Sequence, residues 1–294
     1  MSGFGVEVRD LTVRYGSTTA LDAVTFSIRP GVITGLLGRN GSGKTTALSV
    51  LAAYIRKTSG TVLVDGEEPW ENARVMSGTC LVRESGDVLP DRPVEESLRM
   101  LANRRPTFDK ALAEKLLDTF ELGPTQRPDR LSRGQRSAFG VVMGIASRAP
   151  LTLLDEVHLG MDAPARYAFY DALLADWLEH PRTIVLSSHL IGEVERLLED
   201  VLVLDRGTVL AQSDADTLRA RGLTVTGSAE AVAAFVVGRD VVSRQALGGT
   251  TQATIIGALP DDEDRARAER VELGPVALQD LFVHLTDHAT EAAR

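Results

Sequence analysis

Residues 38 to 46 read Gly-Arg-Asn-Gly-Ser-Gly-Lys-Thr-Thr and match G-x-x-x-x-G-K-[ST] in full, with Gly38, Gly43, Lys44 and Thr45 at the fixed positions. A loop of this kind works only between a strand and a helix, so it dictates the local fold as well as the chemistry. Upstream, Val32, Ile33, Gly35, Leu36 and Leu37 supply the apolar run of a buried strand; downstream, Leu48, Leu51, Ala52 and Ile55 recur at helical spacing. The glycines let backbone N–H groups turn toward phosphate oxygens, and the helix N-terminus adds its orphan donors. Asn40, Gly41, Ser42, Gly43 and Thr46 complete this phosphate cradle. Lys44 is placed to reach the β- and γ-phosphates of a nucleoside triphosphate, and Thr45 to offer its hydroxyl to Mg²⁺.

The remaining signals fall around that loop. Leu151-Thr152-Leu153-Leu154-Asp155-Glu156 is an apolar strand ending in two carboxylates. Such a pair serves equally as a plain strand end or a helix cap. Beside the loop at Gly38 it reads as a Mg²⁺-holding Asp155 and a water-polarising Glu156. Thr183-Ile184-Val185-Leu186-Ser187-Ser188-His189 delivers an imidazole to the same sheet edge. His158, His180, His284 and His288 lack such a setting and are expected at the surface.

At 294 residues, with 44% hydrophobic and 25% charged residues, the chain has room for about two globular units. Its formal charge of -9 gives no electrostatic footprint for nucleic acid, and none is expected as a partner. The lone cysteine, Cys80, excludes an intrachain disulfide and sits in a strand-like Thr-Cys-Leu-Val run. No leader-like segment opens the chain, and no run reaches the ~18 apolar residues of a membrane span, so membrane association is expected through a partner.

Leu131-Ser132-Arg133-Gly134-Gln135, lying between the phosphate loop and the acidic strand, resembles the Leu-Ser-Gly-Gly-Gln signature of the ATP-binding subunits of ABC transporters, with Arg133 in place of a glycine. The resemblance covers roughly the first 210 residues in the family's order of elements. It implies ATP and Mg²⁺ as ligands, with Tyr15 stacking on adenine and with Thr45, Asp155 and Glu84 at the metal. It further implies a catalytic set of Glu156, His189 and Glu84, the last where many relatives carry Gln. Ser132, Gly134, Gln135 and Asp162 would reach the nucleotide of an opposite copy, Asp162 belonging to a loop that resembles the family's D-loop. Val157 stands where the family usually has Pro.

The expected fold is α/β: a P-loop NTPase core with an antiparallel β-subdomain and a helical subdomain at about residues 85–135, in an ATPase domain spanning 1–213. A small α+β extension follows at 214–294. Within it, Leu223 to Val225 and Thr254 to Ile256 read as strands, Glu230 to Val237 as a helix and Asp261 to Asp264 as a solvated turn. Residues 276–286 are similar to the C-terminal helix of exporter-type subunits.

The function so implied is that of an ATPase subunit that pairs with a second copy and drives an exporter-type permease carried on another chain, peripherally at the cytoplasmic face of the membrane. Its alternative is a non-transport relative acting in translation or genome maintenance. The apolar Val88, Leu89 and Pro90, in the Ser85 to Pro93 stretch after Glu84, are the expected seat of a permease helix.

Overall fold

The computed structural model describes residues 3–84 and 88–292. Two compact units are present: residues 1–189 with 196–212, and residues 190–195 with 213–294.

The larger unit opens with β1 (Val6–Tyr15) and β2 (Thr18–Ile28), followed by β3 (Ile33–Leu37), α1 (Lys44–Leu51), β4 (Ser59–Val64), α2 (Ala73–Ser77) and β5 (Thr79–Arg83). Next come α3 (Val94–Ala102), α4 (Lys110–Thr119), α5 (Arg133–Ala146), β6 (Leu151–Asp155), α6 (Ala163–Glu179) and β7 (Thr183–Ser188). After α7 (Ile191–Val194), which belongs to the smaller unit, β8 (Asp200–Asp205) and β9 (Thr208–Asp214) complete the core.

A six-stranded sheet runs β5-β6-β7-β3-β8-β9, and β5, β6, β7, β3 and β8 are paired in parallel. Both faces of β3, β6, β7 and β8 are buried, which is why these segments are almost continuously apolar. Parallel register also brings the carboxyl ends of β3, β6 and β7 to one edge, Leu37 beside Ser188 and Asp155 beside Ser187.

A second, antiparallel sheet is ordered β2-β1-β4, pairing Val8 with Phe26 and with Val62. The period-two apolar residues on its strands point into one core, where Val6, Val8, Phe26 and Val64 meet Leu48 and Leu51 of α1 and Leu151 and Leu153 of β6. Asp65 and Gly66, at φ 51° and 79°, close the turn after β4 with the backbone that this dipeptide favours. The apolar period beyond Leu51 is not helical: Ala53 adopts φ 54°, ending α1 before Ile55, which still packs on the core as loop.

The smaller unit comprises α7, α8 (Ala215–Arg219), β10 (Gly222–Gly227), α9 (Ala229–Phe235), β11 (Asp240–Leu247), β12 (Thr250–Ile256), α10 (Asp262–Glu269), β13 (Glu272–Pro275) and α11 (Leu278–Ala292). From β10 to β13 the order is βαββαβ, and the sheet β11-β12-β10-β13 is antiparallel at every pairing, a ferredoxin-like arrangement. Phe235 and Val232 of α9, Ala266 of α10 and Val225, Ala253 and Ile255 of the sheet form its core.

The acidic run at residues 261–264 is solvated at Asp261, Glu263 and Asp264, as expected, but it is not a mere turn and Asp262 is the exception. It opens α10, where the helix dipole favours acids. Asp262 is buried, accepts a hydrogen bond from the Leu259 N–H at 2.6 Å and pairs with Arg239. The Arg239 cation makes burial of this one acid tolerable while its three neighbours stay in solvent.

Candidate active site

The phosphate loop leaves β3 and enters α1 through Gly41 at φ 80° and Gly43 at φ 104°. A Cβ on Gly43 would lie 2.6 Å from Leu21 Cδ2 and 2.8 Å from the Ala20 carbonyl oxygen, so both angle and space demand glycine. The loop is pinned from outside by the Gly207 N–H, which donates to the Ser42 carbonyl at 3.0 Å. Lys44 is buried and donates to the Gly38 carbonyl at 2.7 Å and the Arg39 carbonyl at 3.3 Å. Its ammonium also lies 3.2 Å from Glu156 Oε1.

These groups face a cleft of about 770 Å³ lined by residues 40–46, Thr18 to Ala20, Arg83, Glu84, Asp155, Glu156 and Leu159. Asp155, buried at the end of β6, accepts a hydrogen bond from Ser187 Oγ at 2.6 Å. The same hydroxyl accepts from the Glu156 N–H at 3.0 Å, fixing both acids from β7. Glu156 takes the left-handed φ of 53°, a conformation that costs a non-glycine residue energy and swings its side chain off the strand direction. Its Oε2 is 3.0 Å from His189 Nδ1.

Thr45 and Asp155 share this cleft, while no cluster of three or more His, Cys, Asp or Glu able to hold a metal occurs among the described residues. One hydroxyl and one carboxylate fit Mg²⁺, which keeps waters and takes most of its oxygens from substrate phosphates plus one or two protein groups. When bound, the ion would supply charge neutralisation between the β- and γ-phosphates.

Ser132 is the N-cap of α5 and forms a reciprocal capping box with Gln135: Ser132 Oγ accepts from the Gln135 N–H at 3.2 Å, and the Ser132 N–H donates to Gln135 Oε1 at 3.1 Å. A Cβ on Gly134 would stand 2.7 Å from the Gly160 carbonyl oxygen, so glycine is what lets this helix start lie against the loop carrying Met161 and Asp162. Ser132, Gly134, Gln135 and Asp162 all line a different cleft, of about 480 Å³. Within one chain they do not meet Lys44, which lines the first cleft.

Glu84 lines the first cleft and forms an ion pair with Arg133, the residue that departs from the signature. Tyr15 is exposed at the end of β1, outside the lining of the cleft, although its partner in register, Thr18, belongs to it. Val88 is half-buried, and Leu89 and Pro90 are exposed; Ser85, where that stretch begins, lies outside the described residues.

His158 corrects the expectation of a surface histidine. It is fully buried, with Nε2 3.1 Å from Ser188 Oγ and 4.0 Å from Glu156 Oε2. His284 is also partly enclosed, 3.9 Å from Asp240, whereas His180 is exposed and the side chain of His288 lies outside those described. Ser187, Ser188 and His158 were missed in the sequence. The available signal was two hydroxyls directly before His189 and an imidazole two residues after Glu156.

Residues 21–158 match the family model described as ABC transporter. Over 282 residues the chain is 26% identical to the ABC transporter ATP-binding protein YtrB of Bacillus subtilis (strain 168), covering 96% of each chain. It is 30% identical to the aliphatic sulfonates import ATP-binding protein SsuB 2 of Xanthomonas axonopodis pv. citri (strain 306), over 71% of this chain and 70% of that one. Among solved structures, the dimeric post-hydrolysis state of the ATP-binding cassette MJ0796 bound to ADP and Pi is similar in fold, with a TM-score of 0.63 and 20% identity. It matches 71% of this chain and 98% of that one.

Proposed function

The chain belongs to the ABC transporter ATP-binding family and is an ATPase subunit, and on that footing we propose that two copies pair head to tail and drive an exporting permease carried on another chain. One observation carries the pairing: the family's nucleotide-contacting residues divide between two separate clefts, Lys44, Asp155 and Glu156 in one, Ser132, Gly134 and Asp162 in the other. A head-to-tail pair brings the first cleft of each copy against the second cleft of its partner. The Ser132 hydroxyl and the donors at the start of α5 then close over the γ-phosphate.

In the single chain, Lys44 is held by two carbonyls and Glu156. Incoming phosphates replace those acceptors, and Thr45 and Asp155 would hold the Mg²⁺ that accompanies them. Glu156, freed on its Oε1 side but retained at Oε2 by His189, takes the proton of the attacking water. Tyr15 supplies the ring for adenine.

Export, rather than import, is supported by the similarity of residues 276–286 to exporter-type subunits. No helix among the described residues is long and apolar enough to cross a membrane. The position that goes with this reading is peripheral, at the cytoplasmic face, through the permease. The exposed Leu89, five residues beyond Glu84, is the proposed seat of a permease helix.

Light scattering on the Glu156→Gln variant tests the pairing. With ATP and Mg²⁺ it should run as a dimer and without nucleotide as a monomer; a monomer under both conditions overturns the composite site.

A further inference from the structure

Glu156 sits in a turn of unfavourable backbone. Its φ is left-handed, and the next residue, Val157, lacks the ring that would fix φ in a proline. Its carboxylate nevertheless faces three nitrogens: Lys44 Nζ at 3.2 Å, His189 Nδ1 at 3.0 Å and His158 Nε2 at 4.0 Å. Lys44 is the partner that substrate phosphates must take away. His158 is too far for a hydrogen bond to the carboxylate, and spends Nε2 on Ser188 Oγ at 3.1 Å instead.

That bond closes a small ring. Glu156 leads through Val157 to His158, His158 reaches across to Ser188, Ser188 leads to His189, and His189 returns to Glu156. It ties the turn after β6 to the end of β7 within two residues of the Glu156–His189 contact. The imidazole is fully buried, walled by Tyr170 at 6.2 Å between ring centroids, so it cannot exchange Ser188 for water. A buried polar group with a fixed partner is a stiff connection, because breaking it leaves unsatisfied atoms in a low-dielectric interior.

We propose that His158 is a positioning residue for ATP hydrolysis: through Ser188 it braces the two segments that carry Glu156 and His189, and so keeps the carboxylate aimed at the attacking water once the phosphates have drawn Lys44 away. This rests on Glu156 acting as the base. His158 and Ser188 are buried and stand outside the lining of the phosphate cleft, so the brace acts on turnover and not on binding. Losing it lets the carboxylate drift by a fraction of an ångström to an ångström, and misplacements of that size cost on the order of 10- to 100-fold in rate.

The test compares His158→Leu, Ser188→Ala and His158→Gln in the full chain, measuring kcat per nucleotide-binding-competent molecule, KM, and ATP affinity by calorimetry. In His158→Leu, kcat should fall ~10- to 100-fold with ATP affinity within about two-fold of wild type. Ser188→Ala should show the same split with a smaller fall. His158→Gln, whose amide can still meet the Ser188 hydroxyl, should regain most of the rate. A purely structural role would lower the competent fraction or the melting temperature while leaving kcat per competent molecule unchanged, and that result in either His158→Leu or Ser188→Ala overturns the proposal. If His158→Leu does not fold, Ser188→Ala, which removes one oxygen, decides. Glu156→Gln is run alongside: persistent turnover there refutes Glu156 as the base, which is distinguishable from failure of the brace.

Discussion

Replacing Glu156 by Gln separates two roles that the geometry gives one carboxylate. As a base, Glu156 should account for ~10²- to 10⁴-fold of the turnover, so the amide, which keeps the shape but takes no proton, should lower kcat by at least about 100-fold. As the ion-pair partner of Lys44 at 3.2 Å, it also competes with substrate. Coulomb's law at an effective dielectric of about 20 puts the gross attraction near 5 kcal/mol. Both side chains are mostly buried, at 6% and 13% exposure, so desolvation cancels much of that attraction and leaves a net ~1 to 2 kcal/mol. The Glu156→Gln variant would present a neutral amide instead, and Lys44 would keep its two carbonyl acceptors. ATP should therefore bind the variant tighter by about 5- to 30-fold, where loss of a mere catalytic group would leave affinity unchanged. Calorimetric titration with Mg²⁺-ATP and steady-state phosphate release measure the two effects on one preparation. Weaker ATP binding by the variant, or a kcat within about ten-fold of wild type, would refute the dual role.

Three further outcomes are expected. Lys44→Ala removes the charge set among the loop's carbonyls and should abolish ATP binding by calorimetry; undiminished affinity would exclude Lys44 as the phosphate ligand. Asp176→Ala should destabilise the larger unit by ~3 to 5 kcal/mol, because Asp176 holds Arg148 at 2.8 Å and the buried Arg182 at 2.8 Å, and burial, with the like charge of Arg148 beside it, pulls the Arg182 guanidinium below its ordinary pKa even with Asp176 in place. A thermal unfolding midpoint unchanged at neutral pH would count against that cluster as a structural element. Leu89→Asp changes an exposed side chain, so ATP binding should stay near wild type while co-purification with the membrane subunit is lost; an intact complex with the folded variant rules out the docking seat.

The phosphate loop, the strand before it and the acids at residues 155 and 156 were legible in the sequence because each is specified locally. Glycine is favoured where the phosphate loop takes positive φ, helix donors follow the loop by chain connectivity, and an apolar run tends to be buried wherever it goes. The capping of α5 is local in the same way, closed between Ser132 and Gln135 three residues on. Local logic failed where position depends on what lies opposite. Asp262 was assigned to solvent because its neighbours are acids, yet Arg239 from a loop more than twenty residues away makes burial tolerable. The helical period through Ile55 overran a helix that stops when Ala53 turns left-handed. Two of the four strands of the smaller unit escaped notice, since an exposed edge strand such as Asp240–Leu247 needs no apolar alternation and is defined by the pairing it makes. Inside the active site the sequence supplied the side chains but not their meetings. That Ser187 would hold both acids, that Arg133 would find Glu84, and that His158 would be buried against Ser188 follow from parallel register between β6 and β7 and from the packing of α5. These are contacts between residues some thirty to fifty positions apart. Chain chemistry sets which groups are present near the phosphate; only the folded sheet, by aligning strand ends that are remote in sequence, decides which of them touch.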